Sequence, residues 1–339
     1  MNNKIKKAKR HLFARMRYAE KRLKLKWKIR KRDKKIQIQY KKIRKRRQEK
    51  KSYTQLIAPK FFSLIENTDE VLGYFKKAEN FLRRGDNVTL DISDVDHLSS
   101  DSVTFMVANI RDIDFIHHGI VKGNAPKKPE LFQLFTESGF YDHVKANGTF
   151  SSRKGELLHK EVRKKVDSEV AKEAALIGIR HVFGNDNPFE PLYNILIECM
   201  SNTRSHADLE TQGKCNWWLY THNFPNERIT AYSFLDLGVG IFKSAVVNSY
   251  FIKMFKGTSF YKNINLVDDL LAGKVQSRID IDNEIRGKGI PQIVDHSGSP
   301  HFRSFYIITN DIKIDLKTGA KKQLKNDLNG TFLYWELQN

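Results

Sequence analysis

Three polar side chains at helical spacing are the first candidates for chemistry in this sequence. Glu198, Asn202 and His206 recur every four residues, so a helix over 192–207 places them on one face. The neighbouring face carries four apolar side chains, which are Leu192, Ile195, Leu196 and Cys199. A carboxylate there can polarise a water, and an amide oxygen can bind Mg²⁺. An ordinary solvated helix face has the same pattern, so these residues alone leave the chemistry open.

Two glycine-bearing segments follow the helix in the chain. The first is a strand-like run over 231–237 that contains Asp236 and continues into Gly238-Val239-Gly240. The second, over 286–289, has the sequence Arg-Gly-Lys-Gly and predicts a turn that opens a short helix. Each segment by itself is also typical of a tight turn that needs a residue with positive φ.

In this order, the helix and the two turns resemble the Bergerat-type ATP site. This site is shared by gyrase, the ninety-kilodalton heat-shock chaperone, histidine kinases and mismatch-repair ATPases. The helix resembles the N box of that family, the segment Asp236-x-Gly238-x-Gly240 its G1 box, and Gly287-x-Gly289 its G2 box. The pair Gly330-Thr331, before a closing apolar run, resembles the last glycine box. The resemblance covers residues 191–339 and implies an α/β sandwich with a mixed, largely antiparallel sheet.

The resemblance implies ATP and Mg²⁺ as cofactors, and a role for each matched residue. Asp236 would accept a hydrogen bond from the adenine amino group, and Gly240 would let the backbone pass close to the base. Asn202 would hold Mg²⁺ against the phosphates. Glu198 would be the general base for water or for an acceptor hydroxyl. Thr331 would complete the nucleotide site from the last glycine box.

The phosphate end of the implied site lies at the second glycine turn. Gly287 and Gly289, at a helix N-terminus, would offer backbone N–H groups to phosphate oxygens. Arg286 and Lys288 either add positive charge there or are simply solvated. His206 is similar to the histidine of the anti-sigma-factor kinase and histidine-kinase branch, and a helix-end residue with a satisfied hydrogen bond is the alternative.

A smaller α/β unit is predicted over residues 56–147. A strand at 87–95 is followed by a helix at 99–110 that begins in serines, then by a short strand near 119–124 and a helix that ends near Gly139. This order resembles the STAS domain of anti-sigma-factor antagonists. In that family a serine before the helix can be phosphorylated, and here Ser99 or Ser100 is the nearest match. A hydroxyl that only caps the helix is the alternative, and the family's usual Asp-Ser-Gly pattern is missing.

The remaining segments complete an α+β architecture. Residues 148–190 are predicted to be a helical linker, with a helix from Glu156 to Ala175. The span 241–286 would be the ATP lid, which is unusually long. Alternating apolar residues predict antiparallel strands at 302–309, 312–316 and 332–337.

Composition excludes some classes of protein. At 339 residues the chain can hold two domains with cores of their own. Its apolar runs are shorter than the ~20 residues of a membrane helix, and its N-terminus lacks the apolar region of a secretory signal. Cys199 and Cys215 lack metal-ligand spacing, which favours buried thiols in a reducing compartment. A cytoplasmic protein without a membrane span is therefore expected.

Positive charge is concentrated in one segment. The first 51 residues carry 25 Lys or Arg against three acidic residues, whereas the rest of the chain holds 35 basic and 36 acidic groups. Residues 1–55 therefore form a basic arm, either helical or disordered. Nucleic acid or a nucleoprotein is the favoured partner of residues 1–51, because Lys and Arg neutralise phosphates and aromatic side chains stack on unpaired bases. The candidate contact residues of the arm are Lys6, Arg10, Arg17, Trp27, Arg30, Arg32, Arg44 and Arg46.

Two other interpretations of the arm stay open. The arm is also compatible with a helix on a membrane surface, although its apolar stripe is thin. It is equally compatible with a solvated basic helix that packs on an acidic partner or on a second copy of the chain.

Together these features predict an Mg²⁺-ATP-dependent switch or ATPase whose basic arm engages nucleic acid. One alternative is a serine protein kinase of the anti-sigma type, acting on its own STAS-like unit or on a partner protein bound there. Another is a regulator that binds ATP without hydrolysing it. A homodimer is a further expectation, since dimerisation driven by the lid is common in the proteins that this chain resembles.

We expect the arm to bind nucleic acid through the phosphate backbone. Deleting residues 1–51 should abolish binding of labelled DNA and RNA in fluorescence polarisation. Binding by the full chain should weaken steeply, by about 10³-fold between about 50 and 200 mM salt if roughly six phosphates are neutralised. As a control, Trp27→Ala should weaken binding to single strands without changing the salt slope. Binding that ignores salt, or that survives the deletion, would contradict the prediction.

Overall fold

Large, fully buried aromatic side chains lie at the centre of a five-stranded sheet. The computed structural model describes residues 53–111, 119–161, 166–206, 216–246, 262–274, 276–277 and 289–339. In the sheet, the ring of Tyr232 stacks on Trp335 at 5.3 Å, and Phe305 stacks on the other side of Trp335 at 5.5 Å. All three are fully buried, so they anchor three neighbouring strands to each other.

The described residues form an α+β fold. The strands are β1 (Tyr53–Ile57), β2 (Phe61–Phe62), β3 (Asn87–Asp91), β4 (His97–Leu98), β5 (Val121–Gly123), β6 (Leu157–Glu161), β7 (Trp217–Asn223), β8 (Ile229–Asp236), β9 (Ala245–Val246), β10 (Gln276–Ser277), β11 (Phe302–Asp315) and β12 (Lys321–Gln338). The helices are α1 (Thr68–Arg83), α2 (Ser100–Arg111), α3 (Pro129–Glu137), α4 (Phe140–His143), α5 (Ser168–Phe183), α6 (Glu190–His206), α7 (Ile241–Ser244), α8 (Val267–Leu271) and α9 (Gly289–Ser297), with a 3₁₀ turn at Asn263–Leu266. None of the helices in these described ranges is long and apolar enough to cross a bilayer.

The main sheet is antiparallel throughout and has the strand order β11-β12-β8-β7-β6. Alternation along β7 and β8 gives the sheet two apolar faces. Trp217 and Tyr232 point to one face, where they pack with α5, α6 and α9. Trp218 and Leu235 point to the other face, where they pack with α1 and α2. The central strands β7 and β8 are therefore buried on both sides.

The predicted α/β order of the N-terminal region is confirmed. The strand predicted at 87–95 is β3, the helix predicted at 99–110 is α2, and the short strand and second helix are β5 and α3. Strands β1, β3 and β5 form a separate three-stranded sheet in which β3 and β5 are parallel. Gly139 follows α3 with φ of +85°, the left-handed conformation that favours glycine after a helix.

The described residues between 54 and 339 form one compact unit. The sequence predicted two α/β domains at 56–147 and 191–339, with 148–190 as their linker. The N-terminal region instead shares a hydrophobic core with the main sheet, since α1 and α2 cover one of its faces. The basic arm, residues 1–52, lies outside the described residues, and with it all the arm residues predicted to contact nucleic acid.

The predicted helix from Glu156 to Ala175 is wrong over its first part. Residues 157–161 are strand β6, which pairs with β7 at the edge of the main sheet, and the helix begins at Ser168. The charged sequence of this segment hid the strand, because an edge strand tolerates polar side chains. Asp167 ends the turn and caps α5, since its carboxylate accepts hydrogen bonds from the N–H groups of Glu169 and Val170.

A buried carboxylate holds the start of β6 to the end of β7. The side chain of Glu156 is 1% exposed, and its Oε1 lies 3.0 Å from Nδ1 of His222 and 2.6 Å from Nη2 of Arg153. Oε1 also accepts a hydrogen bond from the backbone N–H of Asn223. Burial alone would raise the pKa of Glu156, but the hydrogen bonds with His222, Tyr220 and Arg153 hold it below its ordinary value of 4.5.

Glu156 should therefore make folding stability depend on pH. Because its pKa is lower in the folded chain, its contribution is complete above about pH 4.5 and is lost as the pH falls through the folded-state pKa. We expect Glu156→Gln to lower the free energy of unfolding by about 2–4 kcal/mol at pH 7. The difference from wild type should shrink towards pH 3. Urea unfolding at several pH values measures both effects.

The matched control is Glu173→Gln, which changes an exposed carboxylate on α5. It should leave the free energy of unfolding nearly unchanged. A Glu156→Gln variant as stable as this control at pH 7 would contradict the role of the buried network.

Candidate functional site

Helix α6 carries the first candidate residues, as the sequence predicted. Leu192, Ile195 and Leu196 are fully buried in the core against the sheet, which fixes the rotation of the helix. Glu198 and Asn202 lie one turn apart and are partly exposed. The helix ends at His206, whose side chain lies outside what the structure describes.

Asp236 is the last residue of β8, in the middle of the sheet. The backbone register places it opposite Trp217 of β7 on one side and Thr331 of β12 on the other. The Oδ1 atom of Asp236 is buried. The two following glycines are therefore placed at the end of the strand, where the chain turns away from the sheet.

The glycine before Thr331 is required by close backbone contact. Gly330 has φ of +139°, and a β-carbon built there would lie 2.0 Å from the carbonyl oxygen of Asp236. Any side chain at this position would push β12 away from β8. The glycine box at 330–331 therefore has a physical function, which is to let two strands meet where Asp236 ends β8.

Helix α9 begins at Gly289, as the glycine pattern predicted. It packs against α6. A β-carbon built on Gly289 would lie 2.4 Å from Oδ1 of Asn202 and 3.0 Å from its Nδ2. The N-terminus of α9 therefore touches the amide of Asn202 directly. Residues 286–288, which include the candidates Arg286, Gly287 and Lys288, lie outside the described residues.

A cavity lies between α6, the end of β8 and the start of α9. It contains about 430 Å³ of space, part of which is open to solvent. Its walls are largely apolar, with a few polar groups. The lining residues are Cys199, Asn202, Thr203, Phe234, Asp236, Val239, Gly240, Ile241, Ile290, Thr331 and Leu333.

Four predicted site residues therefore meet at one cavity, although they are far apart in the chain. Asn202, Asp236, Gly240 and Thr331 line it. Two more predicted residues, Gly238 and Gly289, lie next to these four. A β-carbon on Gly238 would lie 3.2 Å from Oδ1 of Asp236, and Gly289 touches Asn202. Glu198 is one helical turn from Asn202 and does not line the cavity.

The carboxylate of Glu198 lies in a partly dry environment. Burial raises its pKa, and the charge of His296 opposes that rise. His296 is on α9, the helix packed against α6. Sequence analysis did not identify it, because a single histidine on a helix has no distinctive pattern. A carboxyl group with a raised pKa suits proton transfer near neutral pH better than a fully solvated one.

The sequence missed most of the residues that shape the cavity. Phe234 was detectable in principle, because it lies two residues before Asp236 and so on the same face of β8. Cys199 and Ile290 contribute apolar wall from α6 and α9. Thr309 and Asn310, which hold the glycine turn, lie on β11 and gave no sequence signal that linked them to this site.

The serines considered as phosphate acceptors lie on the opposite face of the sheet. Ser100 is 5% exposed, because α2 packs on β7 and β8. The hydroxyl of Ser99 lies 3.4 Å from the carbonyl oxygen of Phe62 and 3.5 Å from the hydroxyl of Ser102. Ser100 is therefore buried, whereas Ser99 is partly exposed.

A metal ion at the cavity would need oxygen ligands in addition to protein side chains. In the described ranges, the structure has no cluster of three or more His, Cys, Asp or Glu residues that could hold a metal ion. One amide oxygen from Asn202 suits Mg²⁺, which takes few protein ligands and completes its shell with water and phosphate oxygens.

No protein-family model matches this chain, and no curated protein matches its sequence. The cavity is largely apolar, with a buried carboxylate oxygen of Asp236 and the amide of Asn202 beside the start of α9.

Proposed function

We propose that this protein binds Mg²⁺-ATP in the cavity and acts as a nucleotide-driven switch with slow ATP hydrolysis. The observation that carries the proposal is the meeting of Asn202 with Gly289 at the cavity that Asp236, Gly240 and Thr331 also line. These residues come from four separate segments that the sequence matched to a Bergerat-type site. Such a convergence is a far stricter condition than the presence of each motif alone.

The residues at the end of β8 suit the adenine base. Asp236 would accept the hydrogen bond of the amino group, because its Oδ1 atom is buried at the cavity. Phe234, Val239 and Ile241 supply an apolar wall for the flat ring. Gly238 is needed beside the carboxylate, since a β-carbon there would come within 3.2 Å of Oδ1.

The junction of α6 and α9 suits the phosphates. The N-terminus of α9 carries the positive end of a helix dipole, which favours an anionic group. Asn202 would hold Mg²⁺ through Oδ1, and Mg²⁺ when bound would neutralise phosphate charge. Lys288 and Arg286 would add positive charge just before the helix.

Glu198 is the proposed general base. It would take the proton of the attacking water one helical turn from Asn202, and its burial keeps the carboxyl partly desolvated. Glu198 lies outside the cavity lining. This position agrees with a residue that acts at the phosphates rather than at the adenine ring.

The switch would connect ATP to a partner of the basic arm. Of the span 241–286, the predicted lid, Ile241, Phe242, Val267 and Leu270 are buried in the core and would stay in place. The part of the span outside the described residues would close over bound ATP and so change the surface that the protein presents. Residues 1–51, with 25 Lys or Arg, would engage nucleic acid or a nucleoprotein. Hydrolysis would reset the lid.

The first test is incubation of the purified full chain with γ-labelled Mg²⁺-ATP, with and without DNA or RNA. We expect release of free phosphate by wild type. Glu198→Gln should slow it by about 10²–10⁴-fold and still bind ATP. Asp236→Asn should weaken ATP binding by about 10- to 100-fold, because an acceptor of the adenine hydrogen bond is replaced. Titration calorimetry measures the binding.

The other outcomes separate the alternative functions. Label that stays on the protein and disappears with Ser99→Ala or Ser100→Ala would indicate a protein kinase instead. Asp236-dependent binding without either product would indicate a regulator that only holds ATP. Absence of ATP binding by wild type would overturn the proposed function.

Gly289→Ala tests the contact between the two helices. The added methyl group would lie 2.4 Å from Oδ1 of Asn202 and must displace that side chain. We expect hydrolysis to fall by about tenfold or more, because the displaced amide no longer holds its position. Gly123→Ala is the matched control and should keep wild-type activity, because its methyl group would make only an ordinary 3.5 Å contact at the exposed end of β5. Equal activity of both variants would contradict the prediction.

A further inference from the structure

Asn310 has an unusual backbone conformation inside a long strand. Its φ is +53°, and it is the single non-glycine residue with positive φ among those the structure describes. The register between β11 and β12 shifts on both sides of Asn310. The residue is 1% exposed. Asparagine tolerates this conformation better than most residues, but it still costs free energy, so the position needs a compensating interaction.

The compensation is a pair of hydrogen bonds to the glycine turn. Oδ1 of Asn310 accepts the N–H of Phe242 at 3.0 Å, and its Nδ2 donates to the carbonyl of Val239 at 2.9 Å. The carboxamide therefore spans Gly240 and holds the backbone on both sides of it. Gly240 has φ of +80°, and a β-carbon built there would lie 2.5 Å from Nδ2 of Asn310. The turn and the carboxamide are in direct contact.

The neighbouring residue holds the next part of the same turn. The hydroxyl of Thr309 accepts the N–H of Ile241 at 2.9 Å and donates to the carbonyl of Gly330 at 3.1 Å. Its Oγ1 also lies 3.2 Å from Oγ1 of Thr331, which lines the cavity. Thr309 thus joins the glycine turn after β8 to the glycine box of β12.

We propose that Asn310 and Thr309 are positioning residues that hold the Gly238–Gly240 turn in the conformation that binds ATP. The proposal rests on the proposed function for its ligand, and on four hydrogen bonds for its geometry. Neither residue lines the cavity. Their effect on ATP passes through the backbone of the turn and through Thr331.

Residue choice agrees with this role. Only a side chain with a donor and an acceptor on one carbon can bond the carbonyl of Val239 and the N–H of Phe242 together. Glycine at 310 would keep the backbone conformation and lose both bonds. Asn310→Gly is therefore a cleaner test than Asn310→Ala, which would add backbone strain.

Hydrogen exchange in the full chain without nucleotide tests the geometry. Asn310→Gly should speed exchange of the Phe242 amide by about tenfold or more, because its acceptor is lost. Thr309→Val should do the same for the Ile241 amide. Amides within α5 should exchange as in wild type in both variants. Unchanged exchange at both turn amides, or an equal rise throughout the protein, would overturn the proposal.

Titration with Mg²⁺-ATP tests the link to binding. We expect Asn310→Gly to weaken ATP binding by about tenfold, as two lost hydrogen bonds predict. Gly240→Ala should also weaken it, because alanine is strained at φ of +80° and its methyl group meets the Asn310 carboxamide. The double variant should bind no more weakly than Gly240→Ala alone, since glycine at 310 removes that clash. If the loss of ATP affinity in the double variant equals the product of the two single losses, the proposal is overturned.

The two proposals fail in different ways. If wild type binds no Mg²⁺-ATP, the proposed function is overturned, together with the role of Asn310 in binding. If wild type binds Mg²⁺-ATP but Asn310→Gly binds it equally well, the proposed function stands and the positioning role is overturned.

Discussion

Strand β8 pairs with β7 on one side and with β12 on the other, and this pairing positions both the core and the cavity. This register sets Asp236 at the end of a central strand, opposite Trp217 and Thr331. A slip of one residue would turn Asp236 and Phe234 to the other face of the sheet. The stacked rings of Tyr232, Trp335 and Phe305 resist such a slip, because they bury three strands at a single register.

A sheet covered on both faces explains why the N-terminal region belongs to the same unit. The main sheet carries Trp217 on the side of α6 and Trp218 on the side of α2. Helices cover both faces of β7 and β8, so removing either set of helices would expose large aromatic side chains to water. The cavity and the N-terminal helices therefore use alternate residues of the same strands. Any change in the position of β7 or β8 would be felt on both sides.

The cavity combines features that oppose stability with features that restore it. Gly330, Gly289 and Gly240 allow the close approach of backbone and side chains, and glycines weaken regular elements. Asn310 adds an unfavourable φ in the middle of a strand. The hydrogen bonds of Asn310 and Thr309 offset part of this cost by fixing the turn after β8. Local strain that the surrounding structure holds in place is typical of binding sites.

Local sequence patterns were enough to predict the main elements and the types of the site residues. Which of those residues come into contact depends on the tertiary structure. Helical spacing gave α6 with Glu198 and Asn202, and glycine patterns gave the turns at 238–240 and the start of α9, because such signals act over a few residues. The strand β6, the clamp from Asn310 and the contact between Gly289 and Asn202 depend on partners far along the chain. Edge pairing, a strained φ and the room beside a glycine are set by packing, which no local pattern records.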